Sequence, residues 1–195
     1  IGRLNLTAEE RRIQVAIQTV QREPAALRYE RDYDMDVERQ AYERTAALVQ
    51  PEASQAAVLQ AVQQAVDGDA GGVFFLSAYA GCGKTFLEQT LLHWVRSRGQ
   101  IALAVASTGI AALLLEGGNT LHSKLKAPLS PYTSDGRLNI RHQSAEAQMI
   151  REAKLLIWDE AVMHPEKLAH NVDMSLRDIR GRPNVPFGGL VVLWG

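Results

Sequence analysis

Residues 73–106 read as an apolar run, a glycine-rich loop, a helix and a second apolar run, and this order constrains the fold more than any other feature of the chain. "VFFLS" (Val73 to Ser77) and "IALAVA" (from Ile101) are short and rich in strand formers. The spacing between them predicts a helix from about Thr85 to Arg98, closed by Gly99. Two strands joined through a helix must lie parallel, with a right-handed crossover. Downstream, "KLLIWDEA" and "GGLVVLW" are two more buried-looking strands. The segment between them sets Leu168, Val172, Leu176 and Ile179 on one helical stripe. Upstream, "EASQAAVLQAVQQAV" does the same with Val58, Leu59, Val62 and Val66 before "DGDAGG" breaks the helix. The expected class is α/β with a parallel sheet.

The N-terminal fifty residues differ in character. Thr7 and Glu10 form a capping box ahead of Ile13, Ala16, Ile17 and Val20, which predicts one amphipathic helix up to Pro24. "RYERDYDMDVERQAYER" then reads as a solvated helix or linker packing a few aromatics, because acids outnumber bases there. The 195 residues carry 46% hydrophobic side chains, a net charge of -1 and one cysteine, Cys82. That leaves room for a real core and excludes a disulfide framework, which points to an intracellular compartment. The charge gives no bulk signal for a polyanion. The apolar run from Ile101 to Leu115 falls short of the ~20 residues a membrane span needs, so no membrane partner is expected. The chain starts without Met and stops as a strand ends, and is read as a piece of something longer.

"AYAGCGKTFL" (Ala78 to Leu87) follows the first strand and opens the helix. It matches the phosphate-loop spacing G-x-x-x-x-G-K-[ST] except at Ala78. Backbone N–H groups at a helix N-terminus converge on an anion, and small residues let that backbone approach. Ala80, Gly81, Cys82, Gly83 and Phe86 are therefore expected around the phosphates. Lys84 supplies charge to the terminal phosphates, and the Thr85 hydroxyl is placed for Mg²⁺. Ala78 sits at the turn, where a methyl group is tolerable if φ stays negative. Cys82 reads as a small loop residue, with a redox-sensitive thiol as the alternative.

Hydrolysis also needs carboxylates, and "LLIWDEAVM" places Asp159 and Glu160 at the end of an apolar strand. Adjacent strand residues point opposite ways, so the pair can divide the work. Asp159 is expected to hold Mg²⁺ and Glu160 to polarise the attacking water.

Four segments, "GGVFFLSAYAGCGKTFL", "ASTGIAALLLEGGNTLHS", "LLIWDEAVM" and "SLRDIRGRPNVPFGGLVVLWG", occur in an order that resembles the Pif-one-type superfamily 1 DNA helicases, most of all the helicase module of Helitron transposons. The resemblance runs from about Gln55 to Gly195. It implies a RecA-like lobe over residues 51–195, ending before the γ-phosphate sensor motif, behind a helical extension over residues 1–50. It further implies ATP and Mg²⁺ as cofactors, and ATP hydrolysis coupled to 5′-to-3′ movement on single-stranded DNA and to duplex unwinding. A second RecA-like lobe is expected in the same full-length chain, in the nucleus of a eukaryote or otherwise in the cytoplasm.

By the same resemblance Gln55 reads adenine, its amide both donating and accepting. Thr108, Gly109, His122, Ser123 and Lys124 would touch single-stranded DNA, with Lys126 adding charge. An aromatic expected after "TLHS" is missing, with Leu125 in its place. A phosphate-loop kinase or other ATPase stays open as an alternative, as does a transposon-derived remnant that binds nucleotide or DNA without turnover.

Overall fold

Alternation along each strand sends neighbouring side chains to opposite faces, and here both faces are apolar. β2 (Ala102–Ala106) and β4 (Leu155–Asp159) are buried at every residue. In the computed structural model, which describes residues 25–50, 54–79, 81–130, 132 and 136–195 with Thr7 and Glu9, they lie inside a five-stranded, wholly parallel sheet. Its order is β1 (Gly72–Phe75), β5 (Val191–Trp194), β4, β2 and β3 (Asn119–Thr120). The helix expected before Pro24 and the loop residue Ala80 lie outside the described residues.

Ala102, Ala104, Leu155, Ile157, Val191 and Leu193 pack on one side of the sheet, with Leu59, Val62, Leu87 and Leu91. That layer is formed by α3 (Ser54–Asp67) and α4 (Lys84–Arg96). Leu103, Val105, Leu156, Trp158 and Val192 face the other side, where α7 (Ala145–Glu152) and α8 (Glu166–Ile179) bring Met149, Leu168, Val172 and Leu176. The continuous apolar strands and the helical stripes therefore describe one two-sided core. Between β2 and β4 run two short helices, α5 (Gly109–Leu113) and α6 (Leu121–Lys124). Neither these nor β3 was expected, since such short elements carry too few residues for a periodic signal.

The charge-dense stretch is helical and mostly exposed, as read, and packs Tyr33, but two of its acids are not solvated. It forms α1 (Ala25–Arg31) and α2 (Met35–Ala46), whose Asp34 cap accepts from the Asp36 and Val37 amides at 2.9 and 3.2 Å. Two of its acids are buried because each has a basic partner inside the fold. Glu30 pairs with Lys124, and Glu38 lies 2.8 Å from His93 Nδ1. Tyr33 stacks on the buried Arg96 guanidinium at 3.9 Å, and burial pushes its phenol up to about 12. The Glu38 and Tyr33 contacts hold α2 and the turn before it along α4, the helix that follows the phosphate loop. No helix among the described residues is long and apolar enough to cross a membrane.

Candidate nucleotide and nucleic-acid site

The phosphate loop follows β1, Asp159 ends β4, Thr108 follows β2 and His122 follows β3. In a parallel sheet all four positions open on the same, carboxyl edge, where ligands of such folds bind. The fold thus gathers residues far apart in sequence.

Within the loop, Gly81 and Gly83 adopt φ of 81° and 79°, which β-carbons disfavour. A β-carbon on Gly83 would also stand 2.7 Å from Gln55 Nε2. Among described non-glycine residues, Ala78 is not one of those with positive φ, so the unusual first position is free of backbone strain. Gln55, from the first turn of α3, donates Nε2–H to the Cys82 carbonyl at 2.9 Å. A cleft of about 260 Å³ runs between them, lined by Gln55, Val58, Phe75, Leu76, Cys82 and Lys84. Cys82 is an exposed free thiol, while Thr85 and Phe86 are half-buried in the first turn of α4.

Lys84 Nζ lies 2.6 Å from Asp159 Oδ1, and the same oxygen accepts the Glu160 amide at 2.9 Å. β1 and β4 are separated by β5, so this pair reaches across the end of the intervening strand. Gly195 leaves room for it. A β-carbon there would stand 3.2 Å from both Asp159 Oδ1 and Lys84 Cδ and would collide with the Glu88 carboxylate. Thr85 and Asp159 offer hard oxygen donors beside the loop, a donor set that suits Mg²⁺.

Glu160 does not continue the strand alternation expected of it. It turns into the left-handed region at φ 53° and ψ 35°, and it lines a cleft of about 290 Å³ with Lys84, Ser77 and Ala78. The turn, rather than a simple opposition of neighbours, sets it apart from the buried Asp159.

Sequence reading passed over three residues here. Glu88 is fully buried, with both carboxylate oxygens lacking a hydrogen-bond partner. Its burial and then Asp159 raise its pKa to about 7, against the pull of Lys84. Its place one turn after Lys84 was a usable signal, since residues four apart share a helical face. Ser107 and His164 had no such signal. The Ser107 hydroxyl donates to the Glu160 carbonyl at 2.6 Å and lies 2.9 Å from His164 Nδ1.

Of the residues expected on a DNA path, Thr108 and Gly109 are exposed, and the Thr108 hydroxyl accepts the Ala111 amide at 3.2 Å as the cap of α5. His122 is half-buried, its ring 5.6 Å from that of His164. Ser123 is exposed. Lys124, expected to offer free charge, has its ammonium taken by Glu30 and is largely covered. Lys126 is exposed, and Leu125 is buried in the core.

The sequence profile of the PIF1-like helicases matches residues 50–195. The ATP-dependent DNA helicase PIF1 of Trypanosoma brucei brucei is 30% identical over 128 residues, 63% of this chain and 12% of that protein. The ATP-dependent DNA helicase Pif1 of Psychrobacter sp. is 32% identical over 120 residues, covering 61% of this chain and 18% of that protein. Among solved structures, the Pif1 helicase from Candida albicans superposes with a TM-score of 0.61 at 27% identity, covering 75% of this chain and 32% of that one. Pif1 helicase from Bacteroides in complex with ADP-AlF3 and ssDNA gives 0.56 at 31% identity, covering 70% and 30%. The fold is the RecA-like α/β lobe of these structures, and the chain belongs to the PIF1-like helicase family.

Proposed function

We propose that this chain is the first ATPase lobe of an ATP-dependent DNA helicase, which couples ATP hydrolysis to 5′-to-3′ movement along single-stranded DNA and to duplex unwinding. The observation that carries this reading is the meeting of Lys84 and Asp159 at 2.6 Å, which brings a phosphate-binding cation and a metal-binding carboxylate together in a chain of this family. The likeness to a structure holding ADP-AlF3 and ssDNA supports the same reading.

Lys84 and the loop amides bind and orient the terminal phosphates. Gln55 and the walls of its cleft take the base. Thr85 and Asp159 would hold Mg²⁺, which when bound supplies positive charge to the phosphates. Glu160 orients water and accepts its proton. Single-stranded DNA passes over Thr108, Gly109, His122 and Ser123 at the same sheet edge, and duplex DNA is the substrate of the assembled motor. A second RecA-like lobe completes the machine, since translocation requires two lobes that close around ATP. Residues 51–195 form the lobe, and residues 1–50 its extension. The four quoted segments support a Helitron-type kinship, and the single cysteine an intracellular setting.

The test is ATP hydrolysis by the full-length protein with and without a single-stranded oligonucleotide. Stimulation by DNA that Glu160→Gln abolishes is the expected result. Phosphoryl transfer to an acceptor without DNA stimulation would make it a kinase, and nucleotide binding without turnover a remnant.

A further inference from the structure

Tyr29 is 57% exposed, although the residue next to it is buried. Glu30 carries that burial, ion-paired to Lys124 of α6, and so pins α1 against the segment that follows β3. The pairing presents the Tyr29 ring to Lys124, whose ammonium lies 5.4 Å from the ring centroid. Tyr29, Asn119, Ser123, Lys124 and Lys126 line a cleft of about 150 Å³ between the two helices. The cleft therefore combines an exposed aromatic ring flanked by Lys124, a hydroxyl donor and the exposed Lys126.

We propose that this cleft is a nucleobase subsite, in which Tyr29 stacks one base of a single strand while Ser123 and Lys126 face the adjoining phosphate. The proposal rests on the reading of the chain as a DNA motor and adds a base contact to it. Isolated phosphate suits the cleft poorly, because Lys124 is already neutralised by Glu30 and a second carboxylate, Glu146, lines the same walls. A base presents an uncharged π-face, which an aromatic ring accepts whatever the sequence. An arginine or lysine flanking such a ring holds the backbone beside it.

The experiment is fluorescence anisotropy of the protein with a labelled single-stranded dT oligomer and with an abasic strand of equal length and charge. Tyr29→Ala is expected to weaken dT binding on the order of tenfold, to leave abasic binding unchanged, and to keep the thermal midpoint of the parent. Tyr29→Trp is expected to retain dT binding and to show fluorescence quenching on addition of dT beyond that of the parent. Equal dT affinity in Tyr29→Ala and the parent, or equal losses on dT and abasic strands, would overturn the subsite while the motor reading stands. Absence of extra quenching in Tyr29→Trp would overturn it as well. Failure of the parent protein to bind either strand would overturn both.

Discussion

The Ser107 hydroxyl, at the end of β2, donates to the backbone carbonyl of Glu160, at the end of β4, over 2.6 Å. The bond holds a residue whose left-handed φ of 53° is costly for a side chain larger than glycine. The arrangement extends further. The Trp158 indole N–H donates to His164 Nδ1 at 3.2 Å, so that nitrogen is an acceptor and the imidazole is neutral. Burial, followed by His122, holds the His164 pKa below its ordinary value. Glu160, Ser107, His164 and His122 thus form one packed block between the candidate nucleotide and DNA positions.

Ser107→Ala removes the bond that steadies the Glu160 turn without touching the phosphate loop. Hydrolysis in the full-length protein should fall roughly tenfold, on the order of one lost hydrogen bond to a positioned group, with ATP affinity unchanged. Parallel steady-state assays and calorimetric titrations check it. A loss of affinity equal to the loss of rate would place Ser107 in loop folding instead.

Lys84 Nζ lies 2.6 Å from Asp159 Oδ1, so a phosphate bound at the loop shares its charge with that carboxylate. Lys84→Ala should weaken ATP by on the order of 10- to 100-fold, the scale of a hydrogen bond to a charged group. Ala78→Gly should change affinity little, because Ala78 carries no positive φ. Calorimetry decides both, and wild-type affinity in Lys84→Ala would sink the phosphate-loop assignment.

Glu88 gives stability a pH dependence of definite sign. Its ordinary value of 4.5 rises to about 7 in the folded protein, through burial first and Asp159 second. Between these values the folded state holds a proton that the unfolded state has released. The contribution of Glu88 to stability is therefore fully present below about 4.5 and is lost as pH rises through about 7, by on the order of 3 kcal/mol. Glu88→Gln should flatten that decline and raise the thermal midpoint at pH 8 relative to the parent by roughly 6 to 12 °C. Identical pH profiles for variant and parent would show that the carboxyl titrates normally.

Much of this molecule was legible because its strands and helices repeat. The apolar runs of β2, β4 and β5 are buried strands, and the stripe Leu168, Val172, Leu176 and Ile179 falls where helical periodicity placed it. The approach of Lys84 to Asp159 was implied by residue type and order. Other features had no local signal. Glu30 and Glu38 look solvated in sequence and are buried through partners 94 and 55 residues away. Lys124 looked like a free cation for the same reason. The Glu160 turn depends on a hydroxyl 53 residues distant, a relation that no spacing rule contains.

Gln55 offers a sharper test of the base site. One of its two amide N–H groups is held by the Cys82 carbonyl at 2.9 Å, which leaves its carbonyl oxygen and the second N–H for the cleft. That oxygen can accept from the exocyclic amine of adenine and would oppose the carbonyl that guanine presents at the matching position. Gln55→Ala should therefore weaken ATP by ~1 to 1.5 kcal/mol and GTP by less, narrowing the preference between them. Some loss for both nucleotides is built in, because the same side chain supports the loop beside Gly83. The informative quantity is the ratio of the two affinities, measured by titrating parent and variant with each nucleotide. If the ratio is unchanged while both affinities fall, Gln55 supports the loop and does not read the base. In that case any adenine contact comes from elsewhere in the cleft, with Val58 and Phe75 among its remaining walls.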